Sequence, residues 1–419
     1  MISTPIAPPE PELTPDEIIA RARVLKPLLI EQQAETEART YHSEEIHQEF
    51  LRGGFYRMLV PRRYGGYEFD FPTFLRGVIE FASGCMSTAW CFCLAAGHAL
   101  QVAALFEEQA QAEIFGDGDF RCPAVAAPAG AATRTEDGWL LNSTHAYSSG
   151  APYSTHYMGQ TFVAGSGGDG RPPTILLFVA PREMWTMLDD WGDTLGLKGS
   201  GSHSVRFENA WIPTHFALEN TWLVDTDVSH GTPGLRLHGN PMYAGRTLSF
   251  FQTELASLMV GGLKGALEEY ERILTSRKTQ RPPIVPRHLD PDYQRWFGLA
   301  LGQAATAEAA VLSSAHQYMA LCRRAVETGE PFTREDDLRL NIIARESLRL
   351  AWETMHNLIF KTAGTSAAKN GERMERIFRD MAMDWGHFGT LAGDWAAREL
   401  AKERLGLRAE PPPRPDQER

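Results

Sequence analysis

The sequence lacks the features that mark several classes of protein. It has 41 basic against 53 acidic residues, a net charge of −12, and no run of Lys or Arg. Because nucleic acids and anionic membranes bind clustered positive charge, we expect neither as a partner. The most apolar stretch, Cys91 to Phe106, is interrupted by His98 and Gln101. It is too short to span a bilayer, so it predicts a buried helix.

Cysteine is scarce, and a secretory signal is not evident. The five cysteines are Cys85, Cys91, Cys93, Cys122 and Cys322. Their number is odd and their spacing fits no metal site, so we expect buried free thiols in a reducing cytoplasm and no bound metal. Met1 to Glu10 is Pro-rich, has one acidic and no basic side chain, and lacks the basic-then-apolar order of a signal peptide. The expected location is therefore cytoplasmic.

Common cofactor and nucleophile motifs are also missing. No G-x-G-x-x-G follows a strand, and no P-loop, H-E-x-x-H or G-x-S-x-G stands out. A Rossmann nucleotide site is therefore not expected. The length of 419 residues indicates two or three domains.

Helical patterns cover the first part of the sequence, up to about residue 120. Thr14-Pro15-Asp16-Glu17 is a capping box with Pro at the first helical position, which predicts a helix start. Ser43 predicts a second start, and Ser87 a start before the apolar residues around Trp90.

From about Arg121 the segments become short and β-like. Ala131–Thr135, the Asp137-Gly138 turn and Trp139–Ser143 predict a hairpin. Ser166–Gly170 predicts a flexible loop between two later strands. We interpret this region as a small antiparallel β domain or partial barrel.

Long helical patterns return after about Arg246. They cover Leu248–Ile273, Tyr293–Val326, Leu338–Lys361 and Arg373–Leu405. Four such segments predict a bundle. The predicted organisation is a helical domain over 14–120, a β domain over 121–235, a bundle over 236–405 and a disordered tail over 406–419.

Two polar sequence segments are suited to binding a ligand. Gly199-Ser200-Gly201-Ser202-His203 offers spare backbone amides, although a plain turn is the simpler interpretation of its spacing. His145–Gly150 places two hydroxyls beside a glycine, where a ligand can approach the backbone closely. An ordinary strand end explains that string more simply.

The order and spacing of the strings resemble the acyl-CoA dehydrogenase superfamily, and most closely its two-component flavin-dependent monooxygenases. The resemblance spans roughly Thr14 to Leu405 and rests on Gly84–Trp90, Asp137–Trp139 through Ser148–Gly150, Gly196–His203 with Ile212-Pro213, and Arg379-Asp380 followed by His387. It implies an α+β, mostly α fold: an N-terminal α-helical domain, an antiparallel β domain and a C-terminal four-helix bundle. Members of this branch hydroxylate phenols and steroid phenols, oxygenate dibenzothiophenes or N-oxygenate amino sugars.

The resemblance also implies the cofactor and partners. Reduced flavin, FMN or FAD, would come from a separate reductase, and molecular oxygen would add at flavin C4a to give a hydroperoxide that hydroxylates a small aromatic or polycyclic substrate. The implied flavin-binding residues are Ser148, Ser149, Gly199, Ser200, Gly201, Ser202, Gly364, Thr365 and Ser366. Ser149 is expected to bind the flavin N5 edge in a sheltered cavity. A homotetramer is expected, with flavin contacts from a neighbouring subunit.

The catalytic residues implied by the resemblance are His387, His98 and Ser149. A histidine can hold or release a proton near neutral pH, and a base beside a phenol hydroxyl accelerates its reaction by ~10²–10⁴-fold. The expected substrate pocket comprises His98, Cys122, Trp90, Tyr153 and Met242. The phenol hydroxylases of this branch carry a Ser where this chain has Cys122–Ala126, so the substrate is not a simple phenol or is held differently. Arg379 and Asp380 are expected to form a structural ion pair.

Two alternatives remain open at this point. One is an acyl-CoA dehydrogenase that uses Glu254 as the base beside a thioester carbonyl. The other is a helical binding protein that has lost its flavin and its activity.

Overall fold

The computed structural model describes residues 6–168 and 172–407. The chain begins with helices α1 (Pro15–Glu31), α2 (Gln33–Arg39), α3 (Glu44–Arg52), α4 (Phe71–Gly84), α5 (Met86–Ala96), α6 (Ala99–Leu105) and α7 (Glu108–Phe115). The predicted capping box is confirmed: the Glu17 N–H donates to the Thr14 hydroxyl at 3.3 Å, and the Thr14 N–H donates to the Glu17 carboxylate at 2.8 Å. Ser43 likewise caps α3 by accepting from the Ile46 N–H at 3.2 Å.

The predicted cap at Ser87 is wrong. Cys85 occupies the cap position of α5, and Ser87 lies inside its first turn. The Ser87 hydroxyl donates instead to Asp380 Oδ2 at 3.1 Å, across 293 residues of sequence. A local pattern cannot reveal a partner so distant, and this contact later proves to support the site.

Helices α5 and α6 form the apolar centre of the N-terminal domain. Met86–Leu105 is long and apolar enough to cross a membrane, yet 94% of its apolar window is buried inside the protein. The surrounding helices α4 and α9 cover it. This is the packing of a core helix, as the interruption at His98 predicted.

The middle of the chain forms a mixed sheet. Its strands are β1 (Ala124–Val125), β2 (Ala131–Arg134), β3 (Gly138–His145), β4 (His156–Val163), β5 (Ile175–Pro181), β6 (Thr186–Met187), β7 (Val205–Pro213) and β8 (Ala217–Glu219). Their order is β6-β7-β3-β2-β4-β5-β8, with β1 on β4. The predicted hairpin is confirmed as β2–β3, with Ala132 opposite Leu141.

The expectation of an antiparallel sheet is only partly correct. Strand β4 runs parallel to both β1 and β2, whereas the other pairs are antiparallel. The reason is the path of the chain after β3. It does not turn back beside β3 but crosses the end of β2, and a strand entering beyond β2 must run parallel to it. The crossing segment, residues 146–155, contains Ser149.

The C-terminal helices pack around one long helix. They are α8 (Pro233–His238), α9 (Leu248–Ser276), α10 (Pro291–Thr328), α11 (Arg334–Thr354), α12 (Lys361–Ala363), α13 (Arg373–Trp385) and α14 (Phe388–Arg404). A π-helical stretch, Met355–Phe360, continues α11 into α12. Helix α9 contacts α4, α10, α11 and α13, so it links the bundle to the N-terminal domain.

The fourth predicted bundle helix, Arg373–Leu405, is in fact two helices. Gly386 ends α13, and His387 adopts an extended conformation before α14 starts. The apolar spacing continues on both sides of this break, which hid it from a periodicity argument. The domain boundaries stay predictions, and α8 crosses the one at 235. Asp169 and Gly170 of the predicted loop, and the predicted tail from residue 408 onward, lie outside the described residues.

Candidate active site

The segment that leaves β3 meets α5 at Ser149. The Trp90 indole N–H donates to Ser149 Oγ at 3.0 Å, and both side chains are buried. Gly150 makes this approach possible, because its φ is +90° and a Cβ there would lie 2.7 Å from the Cys91 carbonyl oxygen. A side chain at this position would push Ser149 away from the indole.

A second segment, the turn over residues 199–203, completes a chain of hydroxyls. Ser202 Oγ lies 2.7 Å from Ser149 Oγ and 2.6 Å from Ser200 Oγ. Gly201, at φ +60°, lets the turn approach Pro152, whose Cδ would lie 2.8 Å from an added Cβ. The structure therefore brings Trp90, Ser149 and Ser202 together from three separate segments of the sequence.

Asp380 fixes this turn to the bundle. Its Oδ1 accepts from the Leu197 N–H at 2.6 Å, and its Oδ2 accepts from Ser87. The expected ion pair with Arg379 is wrong: Arg379 pairs with Glu37 and Glu375, at 2.8 and 2.5 Å. The reason is geometric, since adjacent residues on a helix point in different directions. Asp380 thus supports the site through the backbone of a neighbouring segment.

The buried carboxyl of Asp380 makes stability depend on pH. Burial, with a smaller effect of the nearby Glu37, raises the pKa of Asp380 from 3.8 to about 6 despite the lowering effect of its hydrogen bonds. Because the folded state binds the proton more tightly than the unfolded chain, this contribution is present below about pH 4 and is lost as the pH rises through about 6. The loss amounts to about 3 kcal/mol at 1.36 kcal/mol per pKa unit.

Asp380→Asn should therefore be more stable than the wild type at pH 7, by up to about 3 kcal/mol. The amide oxygen still accepts from Leu197, and asparagine does not ionise. The advantage should disappear at pH 4. Urea unfolding of both proteins at the two pH values tests this, and a difference that is the same at both would contradict it.

His387 lies at the start of α14 and acts as its N-cap. Its Nδ1 accepts from the Gly389 N–H at 3.1 Å, so the neutral ring carries its hydrogen on Nε2. The imidazole meets the Trp90 ring edge-on, with centroids 5.4 Å apart. His387 is exposed in the protomer, and partial desolvation by the protein atoms near its ring lowers the pKa of His387 to about 4. At neutral pH it therefore offers an N–H donor.

His98 has the opposite tautomer. Its Nδ1 lies 2.8 Å from the Cys122 carbonyl oxygen, which can only accept, so Nδ1 carries the hydrogen and Nε2 is a free base. Burial lowers the pKa of His98 from 6.5 to about 4, outweighing the opposing effect of its backbone hydrogen bonds. Both histidines border the first turns of α9: His98 lies 5.6 Å from the Phe251 ring, and Gly389 lies against Leu255.

The other predicted pocket residues pack elsewhere or contribute through the backbone. Tyr153 stacks on His47 of α3 with ring centroids 3.9 Å apart. Met242 is buried, with its carbonyl facing the Cys322 thiol of α10. Cys122 contacts His98 through its carbonyl rather than its thiol. Their assignment to a substrate pocket stays a prediction.

The remaining predicted flavin residues fall into two groups. Ser148 is fully buried and donates to the His145 carbonyl at 3.2 Å, and Gly199 packs against Thr36. The Gly364-Thr365-Ser366 segment lies at the far end of α9, where Ser366 Oγ accepts from Arg277 at 2.5 Å. At about 1.5 Å per residue, α9 spans about 30 Å between Leu255 and that end. Within one protomer this segment is therefore remote from His387.

Glu254 is sealed inside the protein. Its carboxyl lies 3.8 Å from the Cys93 thiol and has no exposed surface. Burial raises the pKa of Glu254 well above 4.5. Because the side chain has no exposed surface, it is not placed to meet a thioester substrate, which argues against the acyl-CoA dehydrogenase alternative.

Comparison with known proteins agrees with this geometry. Residues 254–391 match the family model for the acyl-CoA dehydrogenase C-terminal domain. The flavin-dependent monooxygenase oxygenase subunit HsaA of Rhodococcus jostii (strain RHA1) is 27% identical over 364 residues, 86% of this chain and 91% of that protein. The p-hydroxyphenylacetate 3-hydroxylase oxygenase component of Acinetobacter baumannii is 26% identical over 373 residues, 85% and 82% of the two chains. The crystal structure of 3-HSA hydroxylase from Rhodococcus sp. RHA1 superposes with a TM-score of 0.81 at 26% identity, covering 94% and 98%.

The fold and the site define a flavin-using oxygenase built on the acyl-CoA dehydrogenase architecture. The chain is similar to flavin-dependent monooxygenase oxygenase components over most of its length, and residues 254–391 match the acyl-CoA dehydrogenase C-terminal domain.

Proposed function

We propose that the chain is the oxygenase component that receives reduced flavin, FMN or FAD, from a separate reductase and hydroxylates a small aromatic substrate carrying a hydroxyl group. One observation carries the proposal: two neutral imidazoles of opposite tautomer border the start of α9. His98 lies beside Phe251, and His387 packs on Trp90, whose N–H donates to Ser149. The unprotonated nitrogen of His98 can take a proton from one substrate atom, while the N–H of His387 donates a hydrogen bond to another.

The residues around Ser149 fit a flavin. Trp90 uses one lone pair of the Ser149 oxygen, and Ser202 is its one other side-chain partner within residues 6–168 and 172–407, so one position is left for a ring N–H. Reduced flavin, when bound, supplies the electrons that activate molecular oxygen. The protein's part is to hold the N5 edge at Ser149 and to keep water from the reacting face.

The two histidines divide the work on the substrate. His98 Nε2 is unprotonated and accepts the proton of the substrate hydroxyl, which makes the ring more electron-rich. The Nε2–H of His387 donates to an oxygen that gains negative charge during transfer. The absence of a side-chain hydroxyl at Cys122–Ala126 suits this division, because His98 then has no competing partner for the substrate hydroxyl.

The position of Gly364–Ser366 supports the expected homotetramer with shared flavin sites. If this segment binds flavin, its distance of about 30 Å along α9 requires it to bind the flavin of a neighbouring protomer. Arg277 and Arg287 beside it suit the phosphate end of the cofactor. We place the enzyme in the cytoplasm, without a nucleic-acid or membrane partner. Sedimentation at several protein concentrations tests the assembly, and a stable monomer that binds flavin tightly would contradict it.

Rapid mixing tests the oxygenase function. Protein and reduced flavin are combined without oxygen and then mixed with oxygenated buffer. We expect a transient absorbance that differs from the spectra of both reduced and oxidised flavin and that outlives the oxidation of free flavin. Oxidation as fast and featureless as that of free flavin would overturn the proposal.

Ser149→Ala should shorten that transient by about 10-fold, because a hydrogen bond of about 1.4 kcal/mol to the N5 edge is lost. Ser154→Ala is the matched control, since its buried hydroxyl lies in the same segment and donates to the Ala151 carbonyl at 2.7 Å, not to the hydroxyl chain. The control should leave the transient unchanged. Equal lifetimes for Ser149→Ala and the wild type would remove Ser149 from its assigned role.

A further inference from the structure

The hydroxyls of Ser149, Ser202 and Ser200 form a continuous buried chain that starts at Trp90. The successive distances are 3.0 Å from Trp90 Nε1 to Ser149, 2.7 Å to Ser202 and 2.6 Å to Ser200. Only the first bond has a fixed direction, because an indole N–H can donate but cannot accept. Each of the other two can run either way.

We infer that Ser202 is a positioning residue whose hydroxyl lets Ser149 change from donor to acceptor when the flavin is reduced. The inference rests on the proposed contact between Ser149 and flavin N5. It assigns Ser202 a different role from the direct flavin contact that the resemblance implied.

Counting lone pairs shows why a partner is needed. A serine hydroxyl has one hydrogen and two lone pairs. Trp90 occupies one lone pair of Ser149 in every state. If Ser149 donates to Ser202, its second lone pair is free and can accept a hydrogen bond from the ligand. If Ser202 donates to Ser149, both lone pairs are filled, and the Ser149 hydrogen points to the ligand.

These two directions match the two oxidation states of a flavin. N5 of oxidised flavin is unprotonated and accepts, whereas N5 of reduced flavin carries a hydrogen and donates. Ser149 must therefore donate to the oxidised ring and accept from the reduced ring. In the second case its own hydrogen needs another acceptor, and Ser202 is the one the structure provides, with Ser200 next in the chain.

The position of the turn supports a fixed chain rather than a chance contact. Ser200 and Ser202 are fully or almost fully buried, at 0% and 4% exposure. The Gly150 N–H donates to the Ser200 carbonyl at 3.2 Å, and the Ser148 N–H donates to the His203 carbonyl at 3.1 Å. The two segments are thus joined by backbone hydrogen bonds on both sides of the hydroxyl chain.

Ser202→Ala should weaken the binding of reduced flavin by about 10-fold while leaving oxidised flavin almost unchanged. The reduced complex would leave the Ser149 hydrogen buried without an acceptor, a cost that converts to roughly this factor. The midpoint potential of the bound flavin should fall by about 30 mV for each tenfold difference. Dissociation constants for both oxidation states, measured with FMN and FAD, and a spectroscopic redox titration give the result without an activity assay.

Three variants make the test specific. Ser202→Thr keeps a hydroxyl and should restore the reduced-to-oxidised affinity ratio. Ser154→Ala lies in the same crossing segment but outside the hydroxyl chain, because its hydroxyl donates to the Ala151 carbonyl, and its ratio should equal that of the wild type. In a Ser149→Ala background, Ser202→Ala should add no further change to the ratio.

The possible failures are distinguishable. Equal weakening of both oxidation states by Ser202→Ala would overturn the inference and leave the proposed function standing. A ratio shift that persists in the Ser149→Ala background would also overturn it, because Ser202 would then act without Ser149. Failure of the wild-type protein to bind reduced flavin at all would overturn the proposed function itself.

Discussion

His98→Asn is expected to lower the rate of substrate hydroxylation by about 10²–10⁴-fold, the usual contribution of a positioned base. The asparagine amide can still donate to the Cys122 carbonyl, as His98 Nδ1 does at 2.8 Å, so the backbone contact is preserved. What disappears is the unprotonated Nε2. Reduced flavin should still bind, and oxygen should still be consumed without product. Product yield per reduced flavin, measured in single turnovers, reports the loss.

The pH dependence of the wild type provides an independent check. Because burial lowers the pKa of His98 to about 4, the imidazole is already an unprotonated base at pH 5. The acid limb of the rate profile should therefore lie near pH 4 and not near the ordinary histidine value of 6.5. Full product yield from His98→Asn, or an acid limb near 6.5, would contradict the assignment of His98 as the base.

His387 provides the contrasting variant. His387→Asn keeps an oxygen that can accept from the Gly389 N–H, and asparagine is a favourable N-cap, so α14 should remain intact. Only the Nε2–H donor is lost. The expected decrease in product yield is about 10–100-fold, smaller than for His98. A larger decrease in product yield for His387→Asn than for His98→Asn would mean that His387 is the base and His98 the donor.

Local signals predicted those parts of the fold that local chemistry determines. The capping box at Thr14, the cap at Ser43 and the hairpin through Asp137-Gly138 are confirmed, because each depends on residues only a few positions apart. The parallel pairing of β4 was missed, since it depends on where the chain travels after β3. The break at Gly386 was missed because apolar spacing continues across it.

The sequence pointed to residues that the structure brings into contact, but not to the hydrogen bonds that join them. The strings around Trp90, Ser149 and Ser202 were identified by their order along the chain, and the structure places these three side chains in hydrogen-bond contact. No pattern in the sequence shows that an indole N–H should meet a serine 59 residues away. The support from Asp380 was hidden for the same reason, as its neighbour in sequence suggested an ion pair.

Trp90→Ala is expected to have the largest effect on stability, a loss of about 3–5 kcal/mol, because a large buried aromatic side chain leaves a cavity that the surrounding helices fill only in part. Trp90 is 2% exposed in the central helix α5. The variant also removes the N–H that holds Ser149 and the ring edge that His387 packs against. We therefore expect weak binding of reduced flavin together with a lower midpoint in urea unfolding.

Trp90→Phe separates packing from hydrogen bonding. Phenylalanine keeps most of the apolar volume and the edge contact with His387 but lacks the indole N–H. It should cost only about 1 kcal/mol of stability, the usual net value of one hydrogen bond. Ser149 keeps the lone pair that accepts from reduced flavin and can still donate its own hydrogen to Ser202. Reduced flavin should consequently bind to Trp90→Phe far better than to Trp90→Ala. If the two variants lose stability equally, the hydrogen bond and not the packing of the ring dominates at this position, and the structural role assigned to Trp90 is wrong.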